Sequence, residues 1–182
     1  FKARDGDAAR VGCFSGQEQY FIFQEYFRCF RCAGHIRAFA GRYVRVEIPG
    51  PQMILSLTEV QAFRGDENIA LKGKATQSST DYDGPPQLAI DGNTNGHYFE
   101  AKSTTHTKNE DNPWWEVDLG ATSEIGRIVI WNRTDGGVGT RLNNFRVAVL
   151  GEDRKPVWES KVAEPPSPNV QLALGGPAAL LL

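Results

Sequence analysis

The sequence predicts an all-β domain, either a sandwich or a barrel, and two observations carry that prediction. Short segments of alternating apolar and polar residues recur after Gly41, and clusters of Gly, Pro, Asn and Asp separate most of them. Many short strands with turn signals between them are typical of these two architectures. No long segment after Gly41 shows the 3.6-residue period of an amphipathic helix.

The predicted strands follow one another along the chain. The first covers 42–48, where apolar and polar residues alternate until the breaker Pro49-Gly50-Pro51. The second covers 54–63. The later strands are predicted at 114–119, 127–131, 145–150, 157–162 and 170–174.

Length and composition limit the classes of protein. The 182 residues, 40% of them hydrophobic, suit one domain with a short appendage, and we place that domain at 41–174. The segment 1–40 is left undefined, and 175–182 is an apolar tail. A net charge of -2 offers no general attraction for nucleic acid. No apolar run reaches the ~18 residues needed to span a membrane.

A long polar stretch, residues 80–113, is rich in Asp, Asn, Gly, Ser and Thr. A stretch of this kind in a compact domain is usually functional. Within it, Asp91-Gly92-Asn93 offers hard oxygen ligands beside a flexible glycine, which suits Ca²⁺. The same residues also suit an ordinary turn, and the spacing is not that of an EF-hand.

A second group of residues offers hydrogen-bond donors of fixed geometry. It consists of His106, Arg133 and Arg141, with Asp135 between the two arginines. Sugar hydroxyls and ring oxygens need directional partners of this kind. Taken singly, each residue also has an ordinary structural explanation, such as a solvated strand end or a turn.

The run NPWWEVDLG combines aromatic and acidic residues. On a strand, Trp115, Val117 and Leu119 share one side, so a core position is favoured over stacking on a sugar. Glu116 and Asp118 share the other side. Paired carboxylates occur in glycosidases, but a solvated or salt-bridged face is favoured at this spacing.

Several strings resemble the F-type (fucose-binding) lectin family, within the discoidin-like, coagulation-factor type C group. The family pattern is a His, twenty-six residues, an Arg, one residue, an Asp, four residues, and then Arg or Lys. Positions 107–132 separate His106 from Arg133, which is twenty-six residues, and Asp135 follows in register. The resemblance covers roughly 68–174 and includes NIALKGKATQSS, NPWWEVDLG and RLNNF.

The resemblance implies a jelly-roll β-sandwich of the galactose-binding-like type that binds L-fucose or a related sugar. His106, Arg133 and Arg141 would contact the sugar through polar bonds, with Asp135 in the same motif. Phe99, seven residues before His106, stands where the family places an aromatic ring against the apolar edge of the sugar.

The resemblance also implies a structural calcium site in the polar stretch. Its ligands would be Asp91, Asn93 and Ser103 of the loop, with Leu88 through its backbone carbonyl. The ion would neutralise the carboxylate of this loop and fix the sugar-binding loop without touching the sugar.

Two departures from the family pattern bear on sugar specificity more than on the fold. Five residues, 136–140, separate Asp135 from Arg141, where the pattern has four. Gly136-Gly137 stands where many members carry two adjacent cysteines. Both departures affect where Arg141 lies.

The predicted strands at 41–63 resemble the last two strands of the family, which normally close the domain at its C-terminus. Either they end a preceding repeat, or the module is circularly permuted. Permutation is favoured because 170–182 shows no second copy of them, and because sandwich termini often lie close together. In that arrangement Thr58, through its carbonyl, and Glu59, through its carboxylate, match the remaining calcium ligands of the family.

We therefore expect a non-catalytic, calcium-dependent sugar-binding module that belongs to a longer protein with neighbouring domains. Its partner would be a fucose-containing or related glycan, and its location extracytoplasmic, whether secreted, periplasmic or cell-surface. The alternative is a discoidin-type adhesion or scaffold domain that binds protein or lipid. Domains of that kind often bind through exposed apolar loop tips, whereas the loops here are polar, which makes the alternative less favoured.

Overall fold

The computed structural model describes residues 38–175, which form nine β-strands and a few short helical turns. The segments 1–37 and 176–182 lie outside the described residues. Most of the undefined N-terminal segment and most of the tail therefore carry no structural account.

The described strands form two sheets. Their bounds are β1 (Phe39–Glu47), β2 (Leu57–Arg64), β3 (Glu67–Asn68), β4 (Lys74–Gln77), β5 (Trp114–Ile125), β6 (Arg127–Asn132), β7 (Phe145–Leu150), β8 (Pro156–Val162) and β9 (Asn169–Ala173). One sheet has the order β4-β5-β1-β7-β8, and the other has the order β3-β2-β6-β9. All these pairs are antiparallel, and residues from both sheets meet in one apolar core. The predicted all-β sandwich is confirmed.

The described helical elements are all short and lie between strands. They are the single-turn helix α1 (Tyr98–Ala101) and three 3-10 helices at Ile69–Lys72, Pro86–Ile90 and Gly139–Arg141. Two of them, α1 and the turn at Pro86–Ile90, fall within the polar stretch 80–113, which the sequence left without structure.

The core forms because alternate side chains of each strand point inward. In the register of β1 and β5, Val44 lies opposite Val117 and Val46 lies opposite Trp115, and all four are fully buried. Trp115 therefore occupies the predicted core position, and its indole N–H donates to the carbonyl of Pro86 at 2.9 Å. Removing apolar surface from water in this way is the main force that stabilises the sandwich.

The outer face of β5 carries the two carboxylates that alternate with these core residues. Glu116 accepts hydrogen bonds from Arg154 at 2.8 Å and from Arg45 at 3.4 Å, and Asp118 accepts from Arg42 at 2.8 Å. Each carboxylate is therefore neutralised by an arginine. The salt-bridged interpretation of this face is confirmed.

The strands from 39–64 lie inside both sheets. β1 pairs with β5 on one side and β7 on the other, and β2 lies between β3 and β6. Residues that precede the polar stretch in the chain thus supply a central strand to each sheet, and they share one core with the strands that follow it.

Some strand bounds differ from the prediction. β1 begins at Phe39 rather than Arg42, because Phe39 pairs with Ile125 across an irregularity at Gly41. The same pairing extends β5 to Ile125, well beyond the predicted end at Leu119. β3 and β4 were not predicted, since both are short and mostly polar, so no alternation marks them.

A substitution in the core of β2 tests whether this strand stabilises the whole sandwich. Leu57→Ala removes a fully buried side chain, so we expect the free energy of unfolding to fall by about 2–5 kcal/mol. Urea unfolding followed by the fluorescence of buried Trp115 measures it. The control is Leu71→Ala at a 49% exposed position, where the change should stay within about 0.5 kcal/mol. Equal losses of unfolding free energy in the two variants would contradict a core role for β2.

Candidate functional site

An extended segment, residues 103–107, lies beside the start of β2 and carries His106. The N–H groups of Thr105 and Thr107 donate to the carbonyls of Leu57 and Leu55, at 2.8 and 3.0 Å. The two threonine hydroxyls accept from the N–H groups of the same two leucines, at 3.0 and 2.9 Å. These bonds explain why polar residues are buried here, and why β2 begins only at Leu57 instead of at Ile54 as predicted.

The other side of His106 is held by the loop 81–84. The N–H of His106 donates to the carbonyl of Gly84, and the N–H of Asp81 donates to the carbonyl of His106, both at 2.9 Å. A Cβ atom on Gly84 would lie 2.5 Å from the backbone nitrogen of His106. Only glycine allows this close approach, so Gly84 helps to fix the position of the imidazole.

The imidazole of His106 has one defined tautomer. Its Nδ1 lies 2.7 Å from the carbonyl of Thr107, and because a carbonyl can only accept, Nδ1 carries the proton. Burial lowers the pKa of His106, and the positive charges of Arg133 and Arg141 act in the same direction. The ring is therefore neutral at pH 7, which leaves Nε2 as a hydrogen-bond acceptor.

The guanidinium of Arg133 is held on two sides. Its Nε donates to the carboxylate of Asp135, and its Nη2 lies 3.4 Å from the second oxygen of that carboxylate. The centre of the guanidinium also lies 4.5 Å from the ring centroid of Tyr98 and 5.6 Å from that of Phe99. An ion pair and two cation–π contacts thus orient the donors of Arg133.

Asp135 does not line a cavity as a sugar-contacting residue would. Its side chain is 1% exposed and lies behind the guanidinium of Arg133. Burial by itself raises the pKa of Asp135, but the hydrogen bond and charge of Arg133 outweigh it and hold the pKa below its ordinary value. The sequence-based assignment of Asp135 as a sugar contact is therefore corrected. Its carboxylate positions Arg133.

One cavity of about 230 Å³ brings the other predicted sugar contacts together. We name it the primary cavity. Its lining residues are Ile54, Tyr82, Tyr98, Phe99, His106, Arg133, Val138 and Arg141. Residues that are far apart in the sequence thus offer an imidazole acceptor, two guanidinium donors and several aromatic surfaces to one space.

Arg141 and Phe99 are two exposed members of this lining. Arg141 ends the 3-10 helix Gly139–Arg141, and within the described part of the chain it makes no salt bridge. Phe99 lies in α1 and is 70% exposed, so its ring is available to an apolar ligand edge. The extra residue between Asp135 and Arg141 does not remove Arg141 from the primary cavity.

Sequence reasoning missed four lining residues, Ile54, Tyr82, Tyr98 and Val138. Tyr82 is 65% exposed, and its ring centroid lies 4.8 Å from that of His106. The hydroxyl of Tyr98 donates to the carbonyl of Tyr82, which ties α1 to the loop 81–84. Large aromatic side chains within an otherwise polar stretch were the available signal for both tyrosines.

A second cluster, made of oxygen atoms, surrounds Glu59 on β2. Glu59 is fully buried, and its Oε2 has no hydrogen-bond partner among the described residues. Its Oε1 accepts from the N–H of Gly92 at 3.2 Å. Burial, followed by the negative charge of Asp91, raises the pKa of Glu59 to about 8. A buried carboxyl with a free oxygen next to a second carboxylate is a position that a cation would stabilise.

The loop over Glu59 is held by a series of short-range hydrogen bonds. Asp91 Oδ1 accepts from the N–H of Asn93 at 2.8 Å, and Asn93 Oδ1 accepts from the N–H of Asn95 at 3.0 Å. The buried hydroxyl of Ser103 donates to the carbonyl of Asn95. The predicted ligands Asp91, Asn93 and Ser103 are thus connected through one compact loop that also contacts Glu59.

The remaining predicted ligands lie on the two elements that meet at this loop. Thr58 precedes Glu59 on β2 and is fully buried, and Leu88 lies in the 3-10 helix Pro86–Ile90. Among residues 38–175, no three His, Cys, Asp or Glu side chains form a cluster able to hold a metal. The set therefore contains two carboxylates, and its other members are amide, hydroxyl and carbonyl oxygens. This donor set fits Ca²⁺, which prefers oxygen and accepts neutral ligands.

Within residues 38–175, no helix has the length and apolar character required to cross a membrane.

Comparisons with known proteins agree with this geometry. The model of the NedA-like, galactose-binding domain family matches residues 88–160. Fucolectin-6 of Anguilla japonica is 37% identical over 105 residues, which are 53% of this chain and 55% of the fucolectin. The chain spans about half the length of the curated fucolectins that it matches.

Solved structures cover more of the sandwich. A fucose binding module of Streptococcus pneumoniae is 41% identical, with a TM-score of 0.57, over 60% of this chain and 79% of the module. The lectin domain of lectinolysin complexed with Lewis B antigen is also 41% identical, with a TM-score of 0.57, over 59% of this chain and 76% of that domain. Identity at this level over most of a solved module, together with the sandwich and the His–Arg pattern, shows that the chain belongs to the F-type lectin family.

Proposed function

We propose that this protein is a non-catalytic, calcium-dependent binding module that holds L-fucose or a related sugar of a glycan in the primary cavity. The observation that carries the proposal is the lining of that cavity. There the neutral His106 offers an acceptor, Arg133 and Arg141 offer donors, and Phe99 offers an apolar surface. Sugars combine directional hydroxyls with apolar C–H faces, so one ligand can satisfy all four side chains.

The relatives support the same ligand class. The solved neighbours are a fucose binding module and a lectin domain in complex with Lewis B antigen, and the curated neighbours are fucolectins. The second of these solved structures is one domain of lectinolysin, which supports a place for this chain within a longer protein. An extracytoplasmic location, where complex glycans are displayed, belongs to the same proposal.

Calcium would act on the loop and not on the sugar. The fit rests on the buried Oε2 of Glu59, which has no hydrogen-bond partner within residues 38–175, and on its neighbour Asp91. Glu59 would hold the ion through its carboxylate, together with Asp91, Asn93 and Ser103 of the loop. Thr58 and Leu88 would add their backbone carbonyls. The ion would offset the two carboxylates and stabilise the segment that leads through Ser103 to His106.

The position of two exposed aromatic side chains weighs against the adhesion or scaffold alternative. Tyr82 and Phe99 are large and exposed, as a membrane-inserting or protein-docking tip would require. Both side chains, however, line the primary cavity beside His106 and Arg133. Their position favours a small polar ligand over an apolar surface.

Arg141→Ala tests the assigned sugar contact. Because Arg141 is exposed, its removal should leave folding intact. Hydrogen bonds to charged groups contribute about 1.5–3 kcal/mol, so the Kd for L-fucose should rise about ten- to a hundredfold. Calorimetric titration in calcium measures it. The matched control is Arg146→Ala on β7, outside the primary cavity, which should bind like the wild type. Wild-type affinity in Arg141→Ala would reject the site.

The protonation of His106 predicts an acid limit for sugar binding. Arg133 and Arg141 oppose protonation of the ring and Asp81 favours it, while burial sets the lowered pKa. Because the pKa of His106 is lowered from its ordinary value, affinity should stay nearly constant from pH 8 to 7 and fall only at lower pH, when Nε2 becomes a donor. His106→Gln, which does not titrate, should bind more weakly and lose this acid limb. Saturating calcium keeps Glu59 ionised throughout this titration, so a decline between pH 8 and 7 in the wild type would contradict the assigned acceptor role.

Glu59→Gln tests the calcium site through stability. Calcium at a hundredfold excess over its Kd should stabilise the wild type by about 2.7 kcal/mol, seen as a rise in Tm. Glu59→Gln should lose most of that rise, yet in chelator it should be at least as stable as the wild type, because it removes a buried unpaired carboxyl. Glu67→Gln is the control, since Glu67 pairs with Arg64 and Lys72 on the surface and should leave the calcium response unchanged. A full calcium response in Glu59→Gln would exclude it as a ligand.

A further inference from the structure

We propose that Asn95 is a site of spontaneous deamidation, in which its side-chain amide is converted to aspartate and isoaspartate, and that calcium bound in the neighbouring loop suppresses the reaction. Deamidation itself goes beyond the proposed function and does not depend on it, whereas its suppression by calcium rests on the proposed calcium site. The reaction needs water and no other reactant.

The chemistry starts at the backbone nitrogen of the residue that follows the asparagine. This nitrogen loses its proton and attacks the side-chain carbon Cγ, so a new nitrogen–carbon bond forms, the bond from Cγ to the amide nitrogen breaks, and ammonia leaves. Water then opens the cyclic imide at one of its two carbonyls. One opening gives aspartate, and the other gives isoaspartate, whose main chain runs through the former side chain. A following glycine favours ring closure, because it has no side chain to hinder the attack.

Asn95 has both the sequence and the geometry for this reaction. It is the one asparagine of the 182-residue sequence that a glycine follows, and it is exposed. Its Oδ1 accepts a hydrogen bond from the N–H of His97 at 3.0 Å, which folds the side chain over the following peptide. A donor at this oxygen also stabilises the negative charge that develops on it during the attack. The N–H of Gly96 makes no hydrogen bond to another described residue, so the attacking nitrogen is unoccupied.

Asn93 provides a comparison within the same loop. Its Oδ1 accepts from the N–H of Asn95, also at 3.0 Å, and Asn93 is exposed as well. The residue after it is Thr94, whose β-branched side chain crowds the backbone nitrogen. The two asparagines thus share a loop and a hydrogen-bond geometry and differ in the residue that follows. Asn95 should therefore react faster than Asn93.

The folded loop restrains the reaction, because Gly96 is held on two sides. Its carbonyl accepts from the N–H of Thr134 at 2.9 Å, and a Cβ atom on it would lie 2.7 Å from the carbonyl oxygen of Asn132. The carbonyl of Asn95 accepts from the hydroxyl of Ser103. Ring closure turns the peptide between residues 95 and 96, so these contacts must open first. A cation in this loop, with Ser103 among its ligands, would oppose that opening.

Isoaspartate would damage the site more than aspartate. It adds one carbon to the main chain between two anchoring contacts, that of Asn95 with Ser103 and that of Gly96 with Thr134. Thr134 directly follows Arg133, so a displacement here affects both the calcium loop and the primary cavity. Aspartate keeps the length of the main chain and a side-chain oxygen that can accept the same hydrogen bond.

Peptide mapping by mass spectrometry of the full chain, incubated in chelator or in calcium, tests the site. In chelator, aspartate and isoaspartate should accumulate faster at Asn95 than at Asn93 or at Asn109, an exposed asparagine followed by Glu110. Calcium at a hundredfold excess over its Kd should slow the reaction at Asn95 about a hundredfold, because only the open loop reacts and opening releases the ion. Equal rates at Asn95 and Asn93 in chelator would overturn the inference.

The variant Asn95→Asp separates the charge of the product from the altered main chain. It carries the charge on a normal backbone, so it should keep the calcium-induced rise in Tm. Wild type aged in chelator and then returned to calcium should lose that rise in proportion to its isoaspartate content. Aged protein that is rich in isoaspartate and keeps the full rise would overturn the assigned link between Asn95 and the calcium loop.

Failure of the proposed calcium site would give a different result. If calcium raises the Tm of fresh wild type but does not slow the reaction at Asn95, the suppression by calcium is overturned. If calcium does not raise the Tm at all, the proposed function loses its calcium site. In that case a faster reaction at Asn95 than at Asn93 in chelator still supports the modification site, and equal rates still overturn it.

Discussion

The hydrogen-bonded contact between the start of β2 and the segment 103–107 is the interaction on which the candidate site depends. Two threonine hydroxyls and two backbone N–H groups join the segment to Leu55 and Leu57. The contact places Glu59 under the oxygen-rich loop and His106 at the primary cavity. The start of β2 therefore supports both Glu59 in the oxygen cluster and, through the segment 103–107, His106 in the primary cavity.

Buried charge is the second constraint, and the two sites handle it differently. Asp135 and Arg133 neutralise each other directly, so the guanidinium keeps a fixed direction beside the aromatic rings. Glu59 and Asp91 are two neighbouring acidic side chains, and no basic side chain within residues 38–175 pairs with Glu59. Burial and the charge of Asp91 therefore raise the pKa of Glu59. A completed ion pair stabilises geometry, whereas two neighbouring acids repel each other as anions unless one is protonated or a cation lies between them.

Much of the sandwich could be predicted because alternating apolar and polar residues within one strand already show which of its side chains are buried. Phe145–Leu150 was placed at its observed bounds, and Trp115 was assigned to the core. β4 escaped prediction because Lys74–Gln77 contains only one apolar residue, Ala75, so no pattern distinguishes it from a loop. The His–Arg spacing indicated the site, but Asp135 was misplaced because sequence order does not reveal that its carboxylate faces Arg133 and not the cavity.

The sequence by itself determined which segments become strands, which of their faces are apolar, and which chemistries are present for a ligand. Only the tertiary structure decided that β1 and β2 occupy central positions in the two sheets, and that Tyr82 and Tyr98 meet His106 and Arg133. The reason is physical. Alternation depends on neighbours along the chain, whereas these contacts depend on strand order and loop packing between residues far apart in sequence.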